Sequence, residues 1–419
     1  MADIFERLVK NYGPLGEHRE RSHGYYTFPK LEGEIGNRMK FRGKEMVVWS
    51  LNNYLGLANH PDVRKADTDA TAEFGLAYPM GARMMSGNSI YHEQLEKELA
   101  EFEMKEDVIL LNYGYQGIMS AIDTLCGRHD VVVYDAESHA CIIDGLRLHP
   151  GHRYVYRHND VEDCEKQLQR AAALIEKQNQ GGILVITEGV FGMAGDQGKL
   201  KEICALKDKY EFRLLVDDAH GFGTLGKTGA GAGEEQGCQD EIDLYFSTFA
   251  KSMASIGAFI GGPKTIIDFI RYNIRSQIFA KSLPMPFVIG NLKRLEMLRS
   301  MPELKERLWK NALQLQNGLK ERGFDIGKTD SVVTPVYMKG GVPEASAMVT
   351  DLRENYSIFC SIVVYPVIPK GHIIYRLIPT AVHTREDIEA TLTAFSETKE
   401  KLDAGAYKVK EIVHMAEAR

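Results

Sequence analysis

The sequence predicts an α/β fold in which a large domain with a largely parallel sheet precedes a smaller α+β domain. Between about residues 60 and 290, six short apolar runs alternate with stretches of helical periodicity. Runs that are apolar on both faces and separated by helices are typical of strands in a parallel sheet covered on both sides. The length of 419 residues also fits one large domain with a smaller companion.

Apolar runs predict the strands of the large domain. They lie at residues 108–111, 131–134, 183–187, 212–216, 244–246 and 258–261. One connecting segment is a clear helix, because Tyr91, Leu95, Leu99 and Phe102 form a single apolar stripe with charged residues opposite. The alternation of strand and helix patterns therefore continues through the whole large domain.

A second pattern follows the large domain. A long helical stretch begins near residue 287, and Ile388, Leu392 and Phe395 are spaced as one face of a closing helix. Between these helices, apolar runs predict strands at residues 332–338, 358–364 and 373–377. This region is predicted to form the smaller α+β domain.

The N-terminal residues carry two local signals. Residues 1–10 predict a short amphipathic helix, and residues 32–48 predict a hairpin that turns at Arg42-Gly43. The predicted divisions of the chain are an N-terminal segment, a large domain and a small C-terminal domain, at residues 1–60, 61–290 and 291–419.

Composition excludes several classes of protein. The chain is 44% hydrophobic and 26% charged, as in packed globular proteins, and its net charge of −7 gives no general attraction to nucleic acid. No apolar run approaches the roughly 20 residues that cross a bilayer, and no secretory signal is evident, so we expect a cytoplasmic protein. The six cysteines lack CxxC spacing, and neither a disulfide framework nor a metal site is predicted.

Ligands of parallel sheets gather at the carboxyl ends of the strands, so the residues after each strand are the candidates for a site. A glycine-containing turn at residues 112–117 opens a helix after the first strand. Gly114 lets backbone N–H groups approach a phosphate there, and the helix dipole favours an anion. An ordinary strand–helix connection explains the same residues equally well.

Asp217 and His220 follow another predicted strand. An Asp at a strand end can keep a ring nitrogen of a bound heterocycle protonated, and His220 can reach a phenolic oxygen of that ring. The alternatives are a helix cap, for which Asp is well suited, and a metal site, for which no supporting ligand cluster is evident.

Lys251 and His139 also follow predicted strands. Lys251 lies among small and hydroxylic residues, where partial desolvation favours a neutral amine and Schiff-base formation, and the Thr248 hydroxyl can bind phosphate. His139 can stack on a flat cofactor or move a proton. A surface lysine and a structural histidine are the ordinary alternatives, but the order of these signals along the strands favours a cofactor site.

The chain resembles the α-oxoamine synthases, which belong to the pyridoxal phosphate (PLP) enzymes with the aspartate-aminotransferase fold. The similarity runs from about Glu17 to Leu402. It is carried by Arg376 and by blocks at residues 50–57, 91–96, 156–160, 187–191 and 217–223. The resemblance implies fold type I of the PLP-dependent transferases, with a mostly parallel seven-stranded sheet, and pyridoxal 5'-phosphate as cofactor.

The resemblance also implies roles for individual residues. The four catalytic positions are Lys251 as the Schiff-base lysine, Asp217 at the pyridinium nitrogen, His220 at the phenolic oxygen and His139 stacked on the ring. The remaining positions serve cofactor or substrate: Gly114, Tyr115 and Thr248 at the phosphate, Glu188 in the cofactor site, Ser282 at a neighbouring subunit's phosphate, and Asn52, Arg83 and Arg376 around the amino acid.

Members of this family join an amino acid to an acyl thioester and build shared active sites in a homodimer. Residues 266–311 and 323–327 look closest to soluble bacterial serine palmitoyltransferases. The implied reaction is a decarboxylative Claisen condensation of serine or cysteate with a long-chain acyl-CoA or acyl carrier protein thioester, in sphingolipid or sulfonolipid synthesis. Peripheral membrane contact for product release is a further expectation.

Departures from the family pattern concern the amino acid more than the chemistry. Ala82 replaces the usual serine of a Gly-Ser-Arg motif, Ala250 replaces a serine near the phosphate and Gly192 a serine near the ring. Lys30 and Lys281 are cations that suit a sulfonate if they face the pocket. Serine and cysteate therefore both stay open as donors.

Other functions use the same residues. Within the family, the alternatives are glycine C-acetyltransferase and 8-amino-7-oxononanoate synthase. An aminotransferase would use Lys251 but return its amino group to a keto acid. A non-enzymatic PLP-binding scaffold is disfavoured, because the lysine, the aspartate and both histidines are intact.

Overall fold

The structure, a computed structural model, describes residues 3–9, 18–365, 367–409 and 411–412. Its described residues fall into two units. Unit 1 contains those of Met1–Leu51, Met193–Gly195 and Arg307–Arg419, and unit 2 contains Asn52–Gly192 and Asp196–Glu306. These limits differ from the boundaries at residues 60 and 290 that the sequence suggests. Most of the predicted N-terminal segment shares a unit with the C-terminal residues.

The strands of the described residues are, in chain order, β1 (Leu31–Glu32), β2 (Arg38–Phe41), β3 (Lys44–Val48), β4 (Asp107–Leu111), β5 (Val131–Asp135), β6 (His152–Tyr156), β7 (Ile183–Glu188), β8 (Arg213–Asp217), β9 (Leu244–Thr248), β10 (Ala258–Gly262), β11 (Thr334–Tyr337), β12 (Ile358–Phe359), β13 (Ser361–Val363) and β14 (Ile374–Leu377).

The α-helices of the described residues are α1 (Ile4–Val9), α2 (His18–Ser22), α3 (Pro61–Phe74), α4 (Ile90–Phe102), α5 (Gly114–Leu125), α6 (Ala140–Leu148), α7 (Val161–Gln178), α8 (Leu200–Ala205), α9 (Ala232–Gln236), α10 (Lys264–Asn273), α11 (Arg275–Ile278), α12 (Met285–Ser300), α13 (Pro302–Glu321), α14 (Val342–Tyr356) and α15 (Arg385–Asp403). Short 3-10 turns occur at Leu57–Asn59, Leu206–Asp208 and Gln239–Glu241.

Unit 2 is built on a seven-stranded sheet in the order β4-β10-β9-β8-β7-β5-β6. All neighbours from β9 to β6 pair in parallel, and β10 lies antiparallel between β4 and β9. The predicted α/β class and the mostly parallel seven-stranded sheet are confirmed. The apolar runs are strands because both of their faces are covered, as in β7, where every residue is buried.

The sequence pattern did not predict strand β6. It lies at the edge of the sheet and pairs with β5 alone. Only Tyr156 among its residues is fully buried, so the strand lacks the apolar run by which the others were recognised.

Helix α4 confirms the predicted amphipathic helix. Leu95, Leu99 and Phe102 are buried, as their common stripe requires. The hydroxyl of Ser89 accepts the backbone N–H of His92 at 3.3 Å and so caps the first turn. The capped helix begins one residue before the predicted stripe.

Unit 1 contains the predicted hairpin and most of the predicted small domain. β2 and β3 pair antiparallel around Arg42 and Gly43, both of which have positive φ. The strand predicted at residues 358–364 is wrong as a single element, because β12 pairs with β3 whereas β13 pairs with β14 in another sheet. The closing helix predicted from Ile388, Leu392 and Phe395 is α15.

Three global features bear on function. No helix among the described residues is long and apolar enough to span a membrane. All six cysteines are free and buried. Within the same described ranges, no group of His, Cys, Asp and Glu side chains could hold a metal ion.

Candidate active site

The carboxyl edge of the sheet in unit 2 brings most of the candidate residues together. β7, β8 and β9 end at Glu188, Asp217 and Thr248, and Glu188 is the register partner of Asp217. β4 also ends at this edge, because it is antiparallel to β10, which is antiparallel to β9. The ends of β4, β7, β8 and β9 therefore place four separate chain segments at one edge of the sheet.

Asp217 is a buried carboxylate beside a cation. It is 5% exposed, and its Oδ1 accepts the backbone N–H of Ala219 at 3.1 Å. Burial raises the pKa of Asp217, whereas the charge of Lys251 and then that of His139 lower it. Lys251 also acts electrostatically on Glu188. The Lys251 amine is thus close enough to interact electrostatically with Asp217 and Glu188. The Asp217 carboxylate is suited to pair with a protonated ring nitrogen of a cofactor.

His139 begins helix α6 and is held through its backbone. Its N–H donates to Glu188 Oε1 at 2.5 Å, and its Nδ1 accepts the N–H of Cys141 at 3.3 Å. Desolvation lowers the pKa of His139, and Lys251 lowers it further against the opposing effect of Asp217. The imidazole is therefore neutral near pH 7, and its flat face is suited to stacking.

Glu188 is itself almost fully buried. Burial, followed by the charge of Asp217, raises its pKa well above the usual range. Its Oε1 accepts the His139 N–H and so anchors the turn in which His139 lies.

His220 is fixed by two neighbours. Its Nδ1 lies 2.7 Å from the phenolic oxygen of Tyr54, and both side chains are buried. A Cβ placed on Gly192 would lie 2.1 Å from His220 Nε2. The glycine is therefore needed for this ring position, which explains why serine is absent at residue 192. Sequence reasoning missed Tyr54, although it lies in the quoted block at residues 50–57.

The start of helix α5 has the features of an anion-binding cradle. Tyr113 caps the helix without a side-chain hydrogen bond, so the first backbone N–H groups have no intrahelical acceptor. A Cβ on Gly114 would lie 3.0 Å from Thr248 Oγ1. The glycine thus keeps space between the helix end and a hydroxyl, as a phosphate requires. Tyr115 places its ring edge-on to His139, with centroids 6.1 Å apart.

Ser282 has a buried hydroxyl with no hydrogen-bond partner among the described residues. Its side chain is 2% exposed, and its backbone N–H donates to the Gly81 carbonyl at 2.9 Å. A helix-end cradle with the Thr248 hydroxyl, a buried carboxylate, an imidazole and an amine are the groups that pyridoxal phosphate needs, and the role of the Ser282 hydroxyl stays a prediction. The residues present therefore fit the expected cofactor.

Arg83 has a different environment from the one predicted. Its Nη1 and Nη2 donate to the two oxygens of Glu96 at 2.7 and 3.0 Å, and its Nε donates to Asn88 at 2.7 Å. Glu96 also accepts the backbone N–H of Leu110 in β4 at 2.8 Å. Arg83 is thus tied to Glu96 of α4, which in turn joins α4 to β4, and the binding of Arg83 to substrate stays a prediction.

Unit 1 contains a cavity of about 480 Å³ beside Arg376. Arg376 is a half-buried residue of β14, and the walls are mostly apolar side chains that include Ile362, Val363 and Val364. An apolar cavity with one guanidinium suits a ligand that joins an apolar chain to an anionic group. Asn52, the first residue of unit 2, is half-buried, and its role stays a prediction.

Comparisons with known proteins agree with this geometry. The family model described as aminotransferase class I and II matches residues 44–395. The chain is 64% identical to the cysteate-C-fatty acyltransferase of Capnocytophaga ochracea over 97% of each chain. It is 35% identical to the 8-amino-7-oxononanoate synthase of Thermoanaerobacter pseudethanolicus, over 92% of this chain and 96% of that protein.

Solved structures share the whole fold. A serine palmitoyltransferase from S. paucimobilis, solved with bound PLP and myriocin, superposes with a TM-score of 0.88 at 30% sequence identity. The match covers 96% of this chain and 100% of that structure.

Proposed function

Because the chain belongs to the class I and II aminotransferase family, and within it to the α-oxoamine synthases, we propose that it condenses cysteate with a long-chain acyl thioester to give a 3-keto amine. The observation that carries this proposal is the 64% identity along nearly the whole chain to a cysteate-C-fatty acyltransferase. Identity to an 8-amino-7-oxononanoate synthase is 35%, which makes that alternative less supported. Serine is the alternative amino acid donor.

Pyridoxal 5'-phosphate is the cofactor, and when bound it supplies an electron sink for negative charge at the α-carbon of the amino acid. The N–H groups of Gly114 and Tyr115, with the Thr248 hydroxyl, would bind its phosphate. Asp217 would keep the proton on its ring nitrogen, and the flat imidazole of His139 would stack on the ring. His220 would donate to the phenolic oxygen, for which its buried position beside Tyr54 is suited.

The remaining steps use the amine of Lys251 and the substrates. Lys251 takes the α-proton of the amino acid. The α-carbon then attacks the thioester carbonyl, the thiol leaves with its electron pair, and the amino acid carboxylate departs as carbon dioxide. Lys251 returns a proton to the α-carbon. Arg376 is the proposed partner of a substrate carboxylate. The apolar walls of the cavity beside Arg376 support this proposal, because such a cavity suits a ligand that joins an apolar chain to an anionic group.

The donor is predicted to be cysteate in preference to serine. We expect kcat/KM with cysteate to exceed that with serine by about tenfold or more, because a cation matched to the sulfonate stays unpaired when serine binds. Turnover is measured with cysteate, serine, glycine and alanine, each with long-chain and short-chain acyl thioesters on coenzyme A and on carrier protein. If glycine or alanine with a short acyl group is preferred, the lipid function is wrong while the cofactor chemistry stands.

Lys281 offers a variant for the same assay. It is exposed and lies next to Ser282. Lys281→Gln is expected to reduce turnover of cysteate more than that of serine if this amine binds the sulfonate. Lys97→Gln, at an exposed lysine of the same unit, is the matched control. An equal loss with both donors would remove Lys281 from the donor site and direct attention to Lys30.

A homodimer with shared active sites is the proposed assembly. In the single chain, apolar side chains of unit 2 are 74% to 84% exposed: Met80, Met85, Ile90 and Phe279. Such side chains are compatible with a surface that a partner covers, and two-fold dimers are the commonest assembly. A second chain would also give the orphaned Ser282 hydroxyl the phosphate partner that the family resemblance implies.

Subunit mixing tests this assembly. Lys251→Ala and Ser282→Asp subunits are each expected to be inactive, whereas their mixture should recover about a quarter of the wild-type activity. Half of the dimers would then be mixed, and each mixed dimer would hold one intact site. Lys251→Ala subunits taken alone through the same mixing procedure are the control. A fully active monomer at assay concentration would contradict the proposal.

Peripheral membrane contact for product release stays a prediction. The apolar side chains of α1 are all exposed, and an exposed apolar helix face is compatible with such contact: Ile4, Phe5, Leu8 and Val9.

A further inference from the structure

His158 lies between two carboxylates from two other chain segments. Its Nδ1 is 2.9 Å from Asp135 Oδ1, and its Nε2 is 2.9 Å from Asp196 Oδ2. Both ring nitrogens donate to anionic oxygens only in the imidazolium form. Burial lowers the pKa of His158, but the hydrogen bonds to Asp135 and Asp196 raise it overall to about 10. The side chain is therefore charged at neutral pH.

Each of these carboxylates is part of the framework of the cofactor site. Asp135 ends β5, and its Oδ1 also accepts the backbone N–H of Glu137 at 2.8 Å, in the turn that leads to His139. The Asp196 carbonyl accepts the N–H of Phe191, the residue before Gly192, at 2.9 Å. The His158 ring is edge-on to Phe191, with centroids 4.5 Å apart.

Asn159 repeats the same connection. Its backbone N–H donates to Asp135 Oδ2 at 2.9 Å, and its Nδ2 donates to Asp196 Oδ2 at 2.6 Å. Its φ of 50° is in the left-handed region, which asparagine tolerates better than most residues. Two adjacent residues therefore connect the same two carboxylates, and this arrangement is the His158 bridge.

We propose that His158 is a positioning residue. Its imidazolium fixes the turn that leads to His139 relative to the loop at residues 191–196, in which Gly192 leaves room for the His220 ring. This inference rests on the proposed function only in that these two segments flank the cofactor. No chemical step is assigned to His158. Its role is to hold His139 and His220 at the spacing that the cofactor requires, since loss of the bridge leaves two carboxylates without their common cation.

The first test measures the affinity of the apoprotein for pyridoxal phosphate. Binding is monitored by absorbance, with no amino acid or thioester present. His158→Gln is expected to raise the dissociation constant by about tenfold or more, because it removes the charge and one of the two donors. His152→Gln, an exposed histidine at the start of β6, is the matched control and is expected to bind like wild type. Circular dichroism checks that both variants are folded.

The second test uses pH and Asp196→Asn. The titratable groups that face His158 are Asp135, Asp196 and, at 3.9 Å, Glu137. Removing the Asp196 charge lowers the His158 pKa, so the bridge is complete at low pH and weakens as pH rises through that lowered value. Cofactor affinity of Asp196→Asn is therefore expected to fall several-fold between about pH 6 and 9, more steeply than in wild type. NMR of the His158 ring in the apoprotein measures the pKa directly.

The outcomes separate the inference from the proposed function. Wild type that binds no pyridoxal phosphate would overturn both. Wild type that binds it, with a folded His158→Gln that binds equally well, would overturn the inference alone. An Asp196→Asn variant with an unchanged His158 pKa and wild-type affinity would also contradict it. Reduced thermal stability with unchanged affinity would make His158 a purely structural residue.

Discussion

Replacing Lys251 by alanine is expected to abolish turnover. The amine lies at the carboxyl edge of the sheet, within electrostatic reach of Asp217, Glu188 and His139, and a primary amine can both form a Schiff base and move a proton. Lys251→Arg keeps the cation but loses the nucleophilic amine, so it should be equally inactive. Activity is measured by release of free thiol from the acyl thioester.

Borohydride treatment of wild type locates the reactive amine independently of activity. It is expected to attach the cofactor permanently to Lys251, as read by peptide mass spectrometry. Lys105 is the informative comparison, because burial lowers the pKa of its amine. Its ammonium, however, donates to the carbonyls of Gln239 and Ile242 at 2.5 and 2.8 Å. An adduct on Lys105 or any other lysine would show that the site is wrongly assigned.

Asp217→Asn is expected to slow α-proton exchange by about a hundredfold or more. Asparagine preserves the shape of the side chain but cannot supply the negative charge that keeps the ring nitrogen protonated. The measurement is exchange of the α-proton of the amino acid in deuterated water, which does not depend on the acyl thioester. Nearly normal exchange would rule out the assigned role of Asp217.

Asp243→Asn is the matched control for this substitution. Asp243 is a carboxylate of the same unit, paired with Lys207 at 2.6 Å and with Arg213 at 2.9 Å. Its loss is expected to reduce stability and leave the exchange rate close to that of wild type. A general effect of neutralising an aspartate would instead slow exchange in both variants.

Local sequence determined all strands of the large sheet in unit 2 except β6, and the residues that follow them. A strand buried on both faces needs an apolar run, so β4, β5, β7, β8, β9 and β10 were recognisable without knowledge of their neighbours. Strand direction then places the following residues at one edge of the sheet. For this reason Gly114, His139, Asp217, Thr248 and Lys251 could be proposed from local patterns, while their individual roles came from the family resemblance.

Tertiary structure alone decided which side chains pair. The partner of Arg83 is Glu96, that of His220 is Tyr54, and His158 bridges Asp135 and Asp196. The partners are between 13 and 166 residues apart, and no periodicity connects them.

The distinction between local pattern and tertiary contact also explains where the predicted strands differ from the observed ones. Edge strand β6 has too little buried surface to show an apolar run, and residues 358–364 divide because two different sheets accept their two halves. Local sequence encodes backbone preference and burial, whereas the choice of partner depends on contacts that form only when distant segments pack together.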